Sequence, residues 1–290
     1  MKSLLVPLTI AALMMTGCQM MNHGKGRIKL SDATRERALT VLREGVKKEG
    51  DDHFWPAMHA AEALTLAGLG GEVRAAVEPR LATEKDAQHR CGLARELVRA
   101  GDKSKLPILT EVLTSPDPYG HVHAAESLFK VYEVGDPVVM RKHYEQTKNI
   151  KLHLMAAAAL ARQGDLDAVA DIRKTLQGND PDGIQISAWI LGQIGSAQDI
   201  EPLRGRLKDA PSPLIRAYIE HAMAVLGDPE GLAALIRNLE NEDAAIRTYA
   251  ANFAGDAGAV SAQGALEKML DDSNGDVRIR AAQALLTLSH

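Results

Sequence analysis

Large rings are nearly absent from this chain, which has two Trp, five Tyr and three Phe among 290 residues, an aromatic share of 3%. Alanine and leucine must fill its core instead, which argues against compact mixed folds built on bulky side chains. Strand-like alternation is missing too, while apolar spacings of three and four recur, so the chain reads as all-α. Beyond the first residues the longest apolar run is LMAAAALA, from Leu154 to Ala161, far short of the ~20 residues a spanning helix needs. Cysteine occurs only at Cys18 and Cys91. Basic residues are in deficit, with a net charge of −4, which disfavours nucleic acid as a partner. No nucleophile elbow, glycine-rich phosphate loop or paired-cysteine motif is present, and no cofactor is implied.

What is present begins with MKSLLVPLTIAALMMTGC. One charge at Lys2, an apolar stretch from Leu4 to Met15 and small residues before Cys18 read as an export signal over residues 1–17. The ending MTGC resembles the lipobox of bacterial lipoproteins. That resemblance implies acylation at Cys18, a lipid-anchored tether over 18–30 and, with Gln19 next, the periplasmic face of the outer membrane. An ordinary cleaved leader with a soluble product is the other reading. If Cys18 is acylated, Cys91 has no thiol to pair with, and a buried structural role suits it better than a reactive one.

A second signal runs through the rest. Gly68, Gly101, Gly164, Gly195, Gly227 and Gly258 recur about every 32 residues, a repeat-array period, with one double gap whose displaced member is Gly135. Well before each glycine lies a residue suited to start a helix: Asp86, Asp117, Asn149, Asp180, Ser212, Asp243 and Asn274. Pro118, Pro181 and Pro213 follow three of them, at the position where a missing amide hydrogen costs nothing. Second helices with their own apolar spacing alternate with these, capped by Asp102, Asp136, Asp165 and Asp228. A single pair cannot bury its apolar face, so neighbours must stack.

The segments AIRTYAANFA at 245–254 and DVRIRAAQAL at 276–285 resemble the second helix of short HEAT repeats. The likeness implies a right-handed α-solenoid of about eight helix pairs over 31–290, with each second helix on the concave wall. The early units carry Ala57 or His121 where the pattern has arginine, which implies that those seams are held differently.

With the apolar seam at Pro56, His89, Gly120, Leu152, Gly183, Ile215, Ile246 and Val277, the side chains three and six residues later share one face. That ridge carries His59, Glu62, Gly92, Arg95, His123 and Glu126 in the first units. Further on it carries Trp189, Tyr218, His221, Tyr249 and Asn252, then Arg280 and Gln283. Flat rings with polar handles suit a groove for a protein or peptide partner, although they serve equally well as packing between helices. The His and Glu pairs give only two metal ligands per helix, so a metal site is not expected. A chain of ion pairs from Glu62 to Arg95 to Glu126 is expected instead.

These residues point to an exported, lipid-anchored binding or scaffold module of the cell envelope. The rival reading is a groove lyase or hydrolase acting on a sugar or carboxylated ligand through His123, Glu126, Arg95 and His59. Phe54 and Trp55 either seal an open end of the array or project over its groove.

Overall fold

The computed structural model describes residues 26–290, so the leader at 1–17, Cys18 and most of the stretch 18–30 lie outside the described residues. Among the described residues there are sixteen α-helices, α1 to α16 in chain order, and no strand. The odd-numbered helices form an outer layer: α1 (Asp32–Val46), α3 (Gly70–Thr83), α5 (Leu106–Thr114), α7 (Pro137–Gln146), α9 (Leu166–Leu176), α11 (Ile200–Arg206), α13 (Pro229–Asn238) and α15 (Gln263–Met269). The even-numbered helices form an inner one: α2 (Asp51–Leu66), α4 (Ala87–Arg99), α6 (His121–Lys130), α8 (Ile150–Arg162), α10 (Pro181–Ile194), α12 (Pro213–Val225), α14 (Ala244–Ala257) and α16 (Gly275–Ser289). The fold is an α-solenoid of eight helix pairs, as the sequence spacing implies.

Local chemistry accounts for where each helix starts. Asp86, Asn149, Asp180, Ser212, Asp243 and Asn274 each accept a hydrogen bond from a backbone N–H of the first turn of their inner helix. Asp117 does the same for the short 3₁₀ turn that leads into α6. Asp136, Asp165 and Asp228 cap outer helices, and Asp102 caps a 3₁₀ turn before α5. The glycine column mostly lies at positive φ, as at Gly164 and Gly227, where an L side chain would be strained. Gly195 is the exception. Its φ of −75° is ordinary, and it is glycine because a Cβ there would collide with the carbonyl of Leu191.

Each inner helix is enclosed by the inner helix before it, the one after it and the outer helices at its back. That is why α8 buries Leu152, Leu154, Met155, every residue from Ala156 to Ala159, and Leu160. Fully buried leucines such as Leu64, Leu97 and Leu128 contribute roughly 2 kcal/mol each. Between outer helices an arginine repeatedly reaches the capping aspartate of the next unit: Arg141 to Asp165, Arg173 to Asp199 at 2.6 Å, and Arg204 to Asp228.

The array does not end in two open faces. Helix α16 packs on both α1 and α2, closing the inner layer into a ring. At the junction Gly45 lies so close to Ala60 and Ile279 that a Cβ would stand 3.0 Å from each. Arg280 donates to Glu62 at 2.9 Å, His59 meets Asp276 at 2.8 Å, and Arg37 pairs with Asp271. Residues 26–30, read from sequence as tether, run along the last pair, with the Ile28 N–H donating to the Leu288 carbonyl at 3.1 Å. The concave groove expected of an open array is therefore the lumen of a closed ring. Eight helix axes ~9 Å apart form a ring ~23 Å across, which leaves an opening on the order of 10 Å once helices of ~10–12 Å diameter, side chains included, are placed on it.

Closure also corrects the reading of Phe54 and Trp55 as an end seal, because there is no end to seal. Phe54 is buried and stacks on His89 at 3.7 Å, and Trp55 stacks on His123 at 4.7 Å. Both rings press on Gly92, where any side chain would displace them. His121 replaces the repeat's arginine in kind. Its Nε2 bonds the carbonyl of Ser115, six residues back, as Arg247 and Arg278 bond Asn241 and Asp272.

Candidate functional site

Ridge residues of successive inner helices meet one another in two stretches, a charged arc and an aromatic arc. In the charged arc, Glu62 accepts from Arg280 and lies 3.0 Å from Arg99, so it joins α2 to both α16 and α4. Burial alone would raise its carboxyl, but Arg99 and Arg280 outweigh burial and hold it well below the usual range. Glu126 behaves alike: burial opposes ionisation, while Lys130, 2.6 Å away, and then Arg95 bring it down to about 2. His59 titrates lower than usual because it is buried and near Arg280, against the pull of Asp276. His123 is lowered by burial as well, and its Nδ1 stands 4.0 Å from Glu126.

The expected chain of pairs from Glu62 through Arg95 to Glu126 does not form. Arg95 turns to its sequence neighbour, donating from Nε to Glu96 at 2.6 Å, and Arg99 also pairs with Glu96. The two acids of the expected chain are instead held by Arg99, Arg280 and Lys130. The physical reason is reach. Arg99 and Lys130 lie on the same helix faces one turn beyond Arg95 and Glu126, and they present compact pairs across and along the ring.

The aromatic arc joins three consecutive inner helices. Tyr218 is buried, with its ring 4.6 Å from that of Tyr249, and its hydroxyl interacts with Tyr249 and Gln185. Burial, then the neighbouring Tyr249, pushes the Tyr218 phenol well up. Trp189 is half-buried, edge-on to Phe129 at 5.5 Å, with the Lys130 ammonium 5.4 Å from its centroid. That contact skips α8, whose ridge residues Met155 and Ala158 are small or flexible and buried. Tyr249 and Asn252 are half-buried. Gln283 accepts from Arg280, one turn back on α16, at 2.6 Å.

His221 departs from the expectation that it lines the groove. It is fully buried and accepts from Asn238 of the outer helix α13 at 3.1 Å, because its ring turns back between the layers. Cys91 is buried, and burial pushes its thiol up to about 12, which leaves it unreactive. Among the described residues no group of three or more potential metal ligands converges. Arg99, Lys130, Glu96 and Asp276 were missed from sequence. Extending the ridge one turn past its second position would have found Arg99 and Lys130.

A closed α-solenoid with a polar lumen is the class of protein these features define. The sequence matches the family model described as HEAT repeats over residues 137–224 and 207–286, together more than half the chain. The chain belongs to the HEAT repeats. No curated protein matches it. Among solved structures it is similar to human deoxyhypusine hydroxylase in complex with glycerol, at 19% identity and a TM-score of 0.44 over 89% of this chain and 98% of the other. It is also similar to two engineered proteins, each at 17% identity and a TM-score of 0.33. These cover 89% and 85% of this chain, and 84% and 96% of theirs.

Proposed function

We propose that the protein is an exported, lipid-anchored binding module that holds a protein or peptide partner of the cell envelope at the lumen of its ring. The observation that carries this reading is the half-exposed Trp189 beside the Lys130 ammonium, with Tyr249 on the same lining two inner helices on. Flat apolar area next to fixed charge is what a peptide segment needs for both affinity and register. The catalytic reading is weaker, since the candidate acids are tied to cations and His59 is tied to Asp276. Residues 15–18, MTGC, supply the anchor in this proposal.

The test places a photo-activatable residue at position 186, one turn before Trp189, in whole cells, and compares capture by the otherwise unchanged chain with capture by the same chain carrying Trp189→Ala and Tyr249→Ala. A discrete adduct that disappears in the double variant, at unchanged helical content, is the expected result. An adduct that persists removes the lumen from the proposal. Labelled fatty acid that enters the protein but not a Cys18→Ala chain tests the anchor separately.

A further inference from the structure

We infer that the lumen contains a carboxylate-binding site whose centre is the guanidinium fork of Arg95. The side chain of Arg95 is 4% exposed and donates one hydrogen bond, from Nε to Glu96. Among the described residues its two terminal nitrogens donate none, and neither is fully enclosed. A guanidinium this enclosed keeps few hydrogen bonds from water, so an oxygen ligand that fills the fork meets little competition.

The neighbouring acids do not fill the gap. Glu62 is engaged by Arg99 and Arg280, Glu126 by Lys130, and Asp276, at the far side of the arc, by His59. Arg95 feels Glu62 and Glu126 only at longer range, without an ion pair to either. Glu96 holds the guanidinium at Nε, and the charge of the group is felt by Glu62, His123 and Glu126 around it. Glu62, Glu126, Lys130 and His123 around it are each partly exposed, so a small ligand reaches this layer.

The geometry also selects the ligand's charge. A guanidinium fork matches two coplanar oxygens, the arrangement of a carboxylate. Two fixed carboxylates on the flanks repel a dianion more than a monoanion, which places phosphate at a disadvantage. Trp55, stacked on His123 and touching the backbone at Gly92 three residues before Arg95, gives the site an optical reporter.

The test titrates the full chain in detergent with sodium acetate, with phosphate and with sodium chloride at fixed ionic strength, reading Trp fluorescence and calorimetric heat. Acetate is expected to saturate at millimolar concentration while chloride does not. Arg95→Lys, which keeps the charge and removes the fork, is expected to weaken acetate about tenfold. Acetate no better than chloride, unchanged affinity in Arg95→Lys, or phosphate binding more tightly than acetate each overturns the inference. Should Arg95→Lys not fold, the wild-type comparison of acetate, phosphate and chloride decides it. The site stands apart from the binding-module proposal, because partner capture that survives Arg95→Lys leaves that proposal intact.

Discussion

Arg280, on the last inner helix, donates to Glu62, on the first, at 2.9 Å, and both side chains are largely buried. Glu62 holds Arg99 as well, so one carboxylate balances two buried guanidinium groups at the point where the ring closes. Removing it takes from Arg280 its ion-pair partner and leaves Arg99 with Glu96 alone. Glu62→Ala is therefore expected to cost on the order of 3 kcal/mol, because breaking one partner of a buried pair leaves an uncompensated charge. Urea unfolding measures this. A loss under 1 kcal/mol would mean that water already shares these charges.

Closure carries a second expectation. In an open array the terminal units have one neighbour and fray first, since stability is a sum over nearest-neighbour interfaces. Here α2 has an inner neighbour on each side, α4 and α16. Amide hydrogen exchange in α2 and α16 is expected to be as slow as in α8, at the centre of the chain. Protection that falls steadily toward both ends would indicate that the ring is open in solution.

Much of this architecture was legible because it is written locally. A cap such as Asp180 followed by Pro181, then a glycine at the end of the unit, specifies a helix with no knowledge of its neighbours. Ring closure was not legible, because it depends on a small rotation per unit accumulated over eight units, and no residue encodes the sum. The seam itself looks ordinary in sequence: Asp276 follows the cap Asn274 and Arg280 is one more ridge position until α2 is placed beside them. The candidate site was half legible for a related reason. Spacing put Glu62, Arg95 and Glu126 on one lining, but which acid each arginine takes is a rotamer choice. Glu96, off the ridge and adjacent in sequence, won Arg95 by proximity. His221 was misplaced because a ridge position near the edge of its face can turn toward either layer, and Asn238 offers it a donor in the outer one.

The enclosed imidazole of His221 gives the protein a specific acid sensitivity. Its Nε2 accepts from Asn238, its Nδ1 has no partner among the described residues, and its ring lies 5.4 Å from that of Phe253. Burial pushes its pKa from 6.5 to about 3, so in the folded protein it stays neutral. The unfolded chain takes up a proton there below about pH 6.5, the ordinary histidine value. Stability contributed by the neutral form is therefore complete above that pH and is lost as pH falls toward 3, at about 1.4 kcal/mol per unit once well below 6.5. His59 and His123 act in the same direction, while Glu62 and Glu126 add their own loss only at more acid pH, below the ordinary carboxylate range. Between pH 6.5 and 5 the histidines dominate. His221→Gln retains an acceptor for Asn238 and removes the titration, so its unfolding free energy is expected to fall less steeply than wild type, by about one proton's worth between pH 6 and 5. Urea unfolding at pH 7, 6 and 5 measures both slopes, and parallel curves would mean that the imidazole at position 221 is already open to water in the native ring.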